Sequence, residues 1–254
     1  MSEVRSFEPG GYRYIRGPFQ YSAGIAAEPG FTLERVRFAV PVPLEAGFAR
    51  MAAHLEARGR PLPAFAACEL RSPAPFSDQG FRDFNRVYVG TLERWGIFHA
   101  EENPVARSNV CPELRKPDAP CFHAFTYTVP AAAAASIPAF VIAGSGEARE
   151  GDGPYRERIV RLGDATADGL REKARFVLDA MESRMAALGF AWRDVLAAQV
   201  YTVYDPYPFL ADEIERRGAA DHGLTWYYAR PPVVGLDYEM DVRAVPAELA
   251  LPAP

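Results

Sequence analysis

The feature that most constrains the fold is an order of predicted elements that occurs twice along the chain. Residues 19–27 resemble residues 140–148, since each segment is a short apolar strand that runs into small residues and a turn. Residues 123–131 align without a gap with residues 239–247, and both segments are strand-like. This order favours duplication of one module, and 254 residues suffice for two domains of ordinary size.

Within each copy, apolar residues at helical spacing alternate with short strand-like runs. The first helix of each copy carries an apolar stripe, formed by Leu44, Phe48, Met51 and Leu55 in the first copy and by Leu170, Ala174, Val177, Met181, Met185 and Leu188 in the second. A strand follows at residues 64–70 or 194–203, and a second helix at residues 81–95 or 210–217. The order β-β-α-β-α-β-β is therefore predicted twice.

These patterns predict an α+β fold. Strands that alternate with helices, several of them neighbours in sequence, predict a mixed β-sheet with two helices packed on one face. We expect two tandem modules of this kind, at residues 1–130 and 137–254, joined by the low-complexity segment 131–136.

Composition narrows the classes of function. The net charge is −5 and basic residues are interspersed with acidic ones, so nothing predicts nucleic-acid binding. The longest apolar run, residues 130–144, is interrupted by Pro138 and is too short to span a bilayer, so we expect no membrane interaction. Three cysteines without CxxC spacing favour a reducing cytoplasm over a disulfide framework or a structural zinc site.

Several local motifs, together with the order of elements, resemble the Rid/YjgF family. They are Tyr21-Ser-Ala-Gly24, Phe84-Asn-x-x-Tyr88, the segment 103–110 around Arg107, the helix-to-strand joint 189–201 and the closing acidic strand 238–242. Members of that family are small α+β proteins with a chorismate-mutase-like fold, typically homotrimers, that hydrolyse reactive enamines and imines. The resemblance therefore implies two RidA-like modules, a homo-oligomer such as a trimer, and a deaminase that uses no metal or organic cofactor.

The resemblance also implies a site that this chain divides between its halves. The family pairs a substrate-binding arginine with a glutamate about fifteen residues later on the closing strand. The first half keeps Arg107 but has His123 where the glutamate belongs, whereas the second half keeps Glu239 without a matching arginine. Candidate catalytic residues are therefore Arg107, Glu239 and His123.

Their side-chain chemistry fits hydrolysis of an imine or enamine acid. Arginine presents a rigid fork of donors that binds a carboxylate bidentately and stays charged at any working pH. A carboxylate such as Glu239, or an imidazole such as His123, can take a proton from the attacking water. We expect Arg107 to bind the carboxylate of the substrate.

Three further residues are candidates for substrate binding. Asn85 and Tyr88 lie three positions apart on one predicted helix, so their side chains project together. Cys111 lies four residues beyond Arg107 and would approach the same pocket by strand alternation. Asn85 is also compatible with orienting a loop, Tyr88 with core packing, and Cys111 with an ordinary buried thiol.

The sequence leaves three functions open. The first is a metal-free deaminase-like hydrolase that acts on a small imine or enamine carboxylic acid. The second is a chorismatase-like enzyme that acts on a cyclic dicarboxylate, although the sequence shows no second obvious basic clamp. The third is a non-catalytic member that binds a metabolite, because a site divided between two halves is also what a decayed site looks like.

Overall fold

The computed structural model describes residues 3–131, 137–151 and 153–253. Apart from Ala131, the predicted linker at 131–136 lies outside the described residues. The strands, in chain order, are β1 (Val4–Phe7), β2 (Tyr12–Ile15), β3 (Gly24–Ala27), β4 (Phe31–Pro43), β5 (Phe65–Arg71), β6 (Ala106–Pro112), β7 (Cys121–Pro130), β8 (Phe140–Gly146), β9 (Ala197–Thr202), β10 (Leu224–Arg230), β11 (Glu239–Ala244) and β12 (Ala247–Leu251). The α-helices are α1 (Leu44–Ala57), α2 (Asp78–Arg94), α3 (Tyr155–Arg158), α4 (Ala167–Leu188) and α5 (Tyr207–Phe209).

The long helices form where the apolar stripes and capping residues predict them. The hydroxyl of Ser77 accepts a hydrogen bond from the amide of Gly80 at the start of α2, and Thr166 caps α4 in the same way. Helix α4 ends at Gly189, which adopts the left-handed conformation with a φ of 87°. The predicted stripes of α1 and α4 are buried, apart from Leu44, which is half-buried, and this confirms the two helices.

The strands from both halves of the chain form one mixed sheet in the order β1-β2-β3-β8-β11-β9-β10-β6-β5-β7-β4-β12. Strand β3 pairs with β8 of the second half, and β12 pairs with β4 of the first half. Strands β10 and β6 join the two halves in the middle of the sheet. The prediction of two tandem RidA-like modules, each with its own sheet, is therefore wrong. Each half supplies strands that cover an open edge of the other.

The second half also departs from the predicted repeat. In the described part of residues 147–166, β8 is followed by the single helical turn of α3 and not by a second strand. The predicted helix at 210–217 is split into a π-helical turn (Leu210–Ile214) and a 3₁₀ turn (Glu215–Arg217). Pro206 lies at the N-cap of α5, and Pro208 lies within it, just before this segment.

The middle of the sheet curls back on itself. Ser22, just before β3, forms a parallel bridge with Ala106 of β6, and its amide donates to the carbonyl of Val105 at 2.9 Å. Strands β3 and β6 are separated by four strands in the sheet order, so the strands from β3 to β6 enclose an interior. Within it, the hydroxyl of Ser108 on β6 donates to the carboxylate of Asp241 on β11 at 2.6 Å.

Hydrophobic packing lies in two main clusters, one against α4 and the other against α1 and α2. The cluster against α4 contains apolar residues of both halves, including Ile15, Ala23 and Ala26. No helix among the described residues combines the length and the apolarity that crossing a membrane requires.

Candidate active site

A cavity of about 470 Å³ opens where β6, β8 and β11 approach one another. Its wall is completed by the segment before β3, the start of α2, helix α4 and the loop that carries α3. The charged residues that line it are Arg16, Asp78, Arg82, Arg107, Arg149, Glu150, Arg158, Arg184 and Glu239. Among the described residues, no three metal-ligating side chains lie close enough to hold an ion. Six arginines against three acidic residues make the cavity strongly basic, although the chain as a whole is acidic.

Arg107 projects into this cavity from β6, which pairs with β5 on one side and β10 on the other. The residue is 3% exposed, and its guanidinium lies 4.8–5.8 Å from the centroids of four aromatic rings, those of Tyr21, Phe81, Phe84 and Tyr88. Neither terminal nitrogen has a hydrogen-bond acceptor in the part of the chain that the structure describes. A buried cation without an acceptor is unfavourable, so this site is suited to an anionic ligand.

Glu239 begins β11, between Gly146 of β8 and Tyr201 of β9. Its side chain occupies space that a neighbouring glycine leaves free. A Cβ atom added to Gly144 would lie 2.2 Å from Oε1 of Glu239, far inside van der Waals contact. Glycine at residue 144 is therefore what allows the carboxyl group to lie at the cavity wall.

The surroundings of Glu239 favour its neutral form. Burial raises the pKa of Glu239 well above its usual range, and the carboxylates of Asp241 and Glu147 raise it further. The positive charges of Arg107 and Arg71 lower the pKa but do not outweigh burial. A carboxyl group of this kind holds its proton near neutral pH and can act as a general acid.

The structure brings Arg107 and Glu239 to one cavity, although they belong to different halves of the chain. The curled sheet explains how they meet. Ser108, the next residue after Arg107, is hydrogen-bonded to Asp241, two residues after Glu239. Strands β6 and β11 therefore approach each other at the positions that carry the two candidate residues.

His123 lies elsewhere, on β7, and does not line the cavity. Burial lowers the pKa of His123 to about 3, and the positive charge of Arg71 contributes to the shift. The imidazole is therefore neutral at ordinary pH. Because it lies outside the cavity, the structure does not bring His123 to Arg107 and Glu239 as the alternative water-activating group.

The other predicted binding residues, Asn85, Tyr88 and Cys111, do not line the cavity. Asn85 is buried in α2 and donates to the carbonyl of Phe81 at 2.6 Å. The ring of Tyr88 lies beneath Arg107, while its hydroxyl contacts the thiol of Cys68 at 3.3 Å. Burial raises the pKa of the Cys111 thiol to about 12, so Cys111 stays protonated.

Several cavity residues were not predicted from the sequence. They are mainly Arg149, Tyr155, Arg158 and Arg184. The first three fall in the segment 144–158, which begins at the end of β8 and contains four glycines and three arginines. That composition is the signal that could have indicated an anion site, since glycine permits close approach and arginine binds carboxylates.

Comparison with known proteins identifies the relatives of this chain. The family described as 2-aminomuconate deaminase CnbZ matches residues 4–249. The 2-amino-5-chloromuconate deaminase of Comamonas testosteroni is 56% identical over 251 residues, which cover 99% of this chain and all of the relative. Among solved structures, a chorismatase aligns over 95% of this chain and 79% of its own, with 13% identity and a TM-score of 0.48. A cyanuric acid hydrolase from A. caulinodans aligns over 84% and 66%, with 16% identity and a TM-score of 0.39.

These matches correct the family that the sequence motifs suggested. The resemblance to the Rid/YjgF family is wrong as an identification, because a different family covers almost the whole chain. Prediction of a deaminase that acts on a small carboxylic acid is confirmed, and the non-catalytic alternative is wrong. Homotrimer formation and a cytoplasmic location stay predictions. The chain belongs to the CnbZ family of 2-aminomuconate deaminases and is a hydrolytic deaminase.

Proposed function

We propose that this enzyme removes the amino group of a 2-aminomuconate by hydrolysis, with Arg107 and Glu239 as its central catalytic residues. Such a substrate is a linear six-carbon diene with a carboxylate at each end and an amino group on the carbon next to one of them. The Comamonas relative is named for a chlorinated compound of this kind. The two carboxylates of a 2-aminomuconate also match the dicarboxylate substrate of the chorismatase-like alternative.

The observation that carries this proposal is the pair of groups in one cavity. Arg107 offers a buried guanidinium without an acceptor among the described residues, and Glu239 is a buried acid that favours its protonated form. Arg107 binds the carboxylate next to the amino group through a bidentate contact. The rings around Arg107 exclude water and strengthen that contact.

The first step is protonation of the enamine. The nitrogen lone pair forms a C=N bond, a C=C bond breaks, and the diene carbon takes the proton of the Glu239 carboxyl group. The product is an iminium ion, and Glu239 becomes a carboxylate. Arg107 and Arg71, whose charges lower the pKa of Glu239, stabilise the carboxylate that this step creates.

Hydrolysis of the iminium completes the reaction. The Glu239 carboxylate takes a proton from water as the water oxygen forms a bond to the iminium carbon. Glu239 then returns that proton to the amino nitrogen. The C–N bond breaks, ammonia leaves, and the hydroxyl proton goes back to Glu239 as the C=O bond forms. One water is consumed, and a 2-oxo dicarboxylic acid and ammonia are released.

Replacement of Glu239 by glutamine tests the proposal. Glutamine keeps the size of the side chain but cannot donate an acidic proton, so we expect kcat to fall by about 10²–10⁴-fold with little change in KM. Ammonia release and loss of the diene absorbance measure the rate. Glu213→Gln is the matched control, because Glu213 is buried outside the cavity in an ion pair with Arg175. Glu239→Gln with the wild-type kcat would show that Glu239 is not the proton donor.

A further inference from the structure

Arg184 forms a second basic position in the same cavity. It lies on α4, and its side chain is 13% exposed. One terminal nitrogen donates to the carbonyl of Ala143 at 3.3 Å. Ala143 directly precedes Gly144, the residue whose missing side chain accommodates Glu239. The guanidinium is thus anchored at β8, close to the proposed proton donor.

The remaining contact of Arg184 is weak. Its other terminal nitrogen lies 3.7 Å from the carboxylate of Glu150, whose side chain is 91% exposed. Long contacts to exposed carboxylates contribute little free energy, because solvent screens the charges. Glu150 is therefore a counter-ion that an incoming carboxylate can displace.

Arg158 adds a second incompletely satisfied guanidinium to this wall. It donates to the carbonyl of Arg149 at 2.7 Å and lies 4.6 Å from the ring centroid of Tyr155. Its Nε is buried and has no acceptor in the described part of the chain. Arginine that stacks on an aromatic ring keeps its donors in a fixed plane, which suits recognition of a planar carboxylate.

Tyr21 lies close to both basic positions. The guanidinium of Arg107 lies 5.1 Å from the centroid of its ring. Burial raises the pKa of Tyr21, whereas the positive charges of Arg184 and Arg107 both lower it. Arg107, Arg184 and Tyr21 line one cavity of about 470 Å³, so a short molecule bearing an anionic group at each end can contact both arginines.

We propose that Arg184, together with Arg158, binds the carboxylate remote from the amino group and thereby makes the enzyme selective for dicarboxylates. This inference rests on the proposed function, in which Arg107 binds the other carboxylate. Contacts at both ends fix the amino-bearing carbon beside Glu239. Glu150 leaves Arg184 when the substrate enters.

Comparison of two substrates tests this assignment. One is 2-aminomuconate, and the other is its monomethyl ester at the carboxyl group remote from the amino group, which lacks the second charge. We expect Arg184→Met to lower kcat/KM for the dicarboxylate by at least about tenfold and to leave kcat/KM for the ester nearly unchanged. Arg156→Met is the matched control, because Arg156 is exposed on α3 and does not line the cavity.

Equal loss for both substrates, or no loss for either, would overturn the assignment. Glu150→Gln provides a second variant, and because Glu150 is exposed, this substitution leaves the core of the protein intact. Without its counter-ion, Arg184 is free for the substrate, so we expect KM for the dicarboxylate to fall. A rise in that KM would also contradict the proposal.

A binding measurement separates this inference from the proposed function. Muconate carries both carboxylates but has no amino group to release, and calorimetry measures its Kd without any reaction. We expect Arg184→Met to weaken muconate binding by at least about tenfold, while Glu239→Gln leaves it similar. If muconate binding depends on Arg184 but the enzyme does not deaminate 2-aminomuconate, only the proposed function is refuted. Equal muconate affinity for wild type and Arg184→Met would refute the second carboxylate site alone.

Discussion

At the residue scale, one glycine determines where the proposed proton donor lies. Glu239 is a buried acid, and its carboxyl group occupies the space beside Gly144 that any other side chain would fill. The carboxyl group is thereby kept away from solvent, and burial is the main reason that its pKa is raised. Even a small side chain at residue 144 should therefore affect catalysis more than stability.

Gly144→Ala tests this relation. The added methyl group would lie 2.2 Å from Oε1 of Glu239 and 3.2 Å from Cα of Ser108, so the carboxyl group must move. Displacement of a catalytic group by about 1 Å lowers rates by about 10²-fold, and we expect a loss of kcat of that order. Gly90→Ala is the control, since only the end of Arg94 lies within 4 Å of the added atom. That control should raise the free energy of unfolding by about 0.5–1 kcal/mol and keep full activity. Full activity of Gly144→Ala would mean that the position of Glu239 is not critical.

The residues of the site differ in how far the sequence could predict them. Local motifs single out Arg107 and Glu239, because each lies in a strand-like segment with a recognisable pattern. Arg184 lies within an amphipathic helix where an arginine ordinarily faces solvent, and only the packing of α4 against β8 turns it toward the cavity. His123 was a candidate because of its position in an alignment, yet strand pairing places it outside the cavity. Side-chain chemistry was thus predictable, whereas convergence depended on tertiary structure.

At the element scale, a buried cluster of charges ties α4, β8 and β11 together. Glu147, the residue after β8, accepts hydrogen bonds from the amides of Asp237 at 2.6 Å and Tyr238 at 3.1 Å, directly before Glu239. Lys173 of α4 is fully buried, lies 3.5 Å from Glu147 and contacts Asp237. The cluster fixes the backbone from which the proposed proton donor projects. Lysine in the middle of an apolar helical stripe is the sequence sign of such a cluster.

Glu147 should make the stability of the protein depend on pH. Burial raises the pKa of Glu147 to about 7, although hydrogen bonds from backbone amides and the positive charge of Lys173 oppose the shift. The folded protein therefore binds this proton more tightly than the unfolded chain does. That contribution to stability is complete below the unfolded pKa and is lost as the pH rises through about 7. The shift corresponds to about 3 kcal/mol.

Urea unfolding of wild type and Glu147→Gln at about pH 5 and about pH 8 measures this contribution. We expect wild type to lose about 2–3 kcal/mol relative to Glu147→Gln between the two values, because a small part of the contribution is already lost at about pH 5. Glu213→Gln provides a control of opposite sign, because the hydrogen bond with Arg175 lowers the pKa of Glu213. Relative to that variant, wild type should keep its stability between about pH 8 and about pH 5 and lose it only on further acidification, because a carboxylate with a lowered pKa loses its contribution below its unfolded pKa of about 4.5. A pH dependence that Glu147→Gln leaves unchanged would assign the linkage to other groups.

At the scale of the whole molecule, the curled sheet explains both what the sequence predicted and what it did not. Helical and strand periodicity depend on neighbours along the chain, so α1, α4 and most strands of the first half could be predicted. Which strand covers which edge depends on contacts between segments that are distant in sequence, and these contacts cannot be predicted from periodicity. The apparent repeat therefore suggested two separate sheets, whereas β3 pairs with β8 and β12 pairs with β4.

Strand exchange of this kind has a consequence for the independence of the two halves. The division into domains at residues 130 and 137 stays a prediction. The core against α4 includes Ile15, Ala23 and Ala26, which belong to the first half. In isolation, the second half would expose that core and the open edge of β8, and in the first half β3 would lose β8 and β4 would lose β12 as a neighbouring strand. We expect neither half to fold cooperatively by itself, since nothing in an isolated half covers the apolar surface and the strand edges that the other half would have covered.

Separate production of residues 1–131 and 137–254 tests this expectation, with urea unfolding followed by far-ultraviolet circular dichroism. Neither half alone should show a cooperative transition, and mixing them should restore both the transition and deaminase activity. A synthetic peptide of residues 3–27, which contains β1, β2 and β3, should by itself stabilise the second half. A cooperative transition of each isolated half, unaffected by the peptide, would instead establish two independent domains. In that case the pairing of β3 with β8 would be a contact between domains that are already folded.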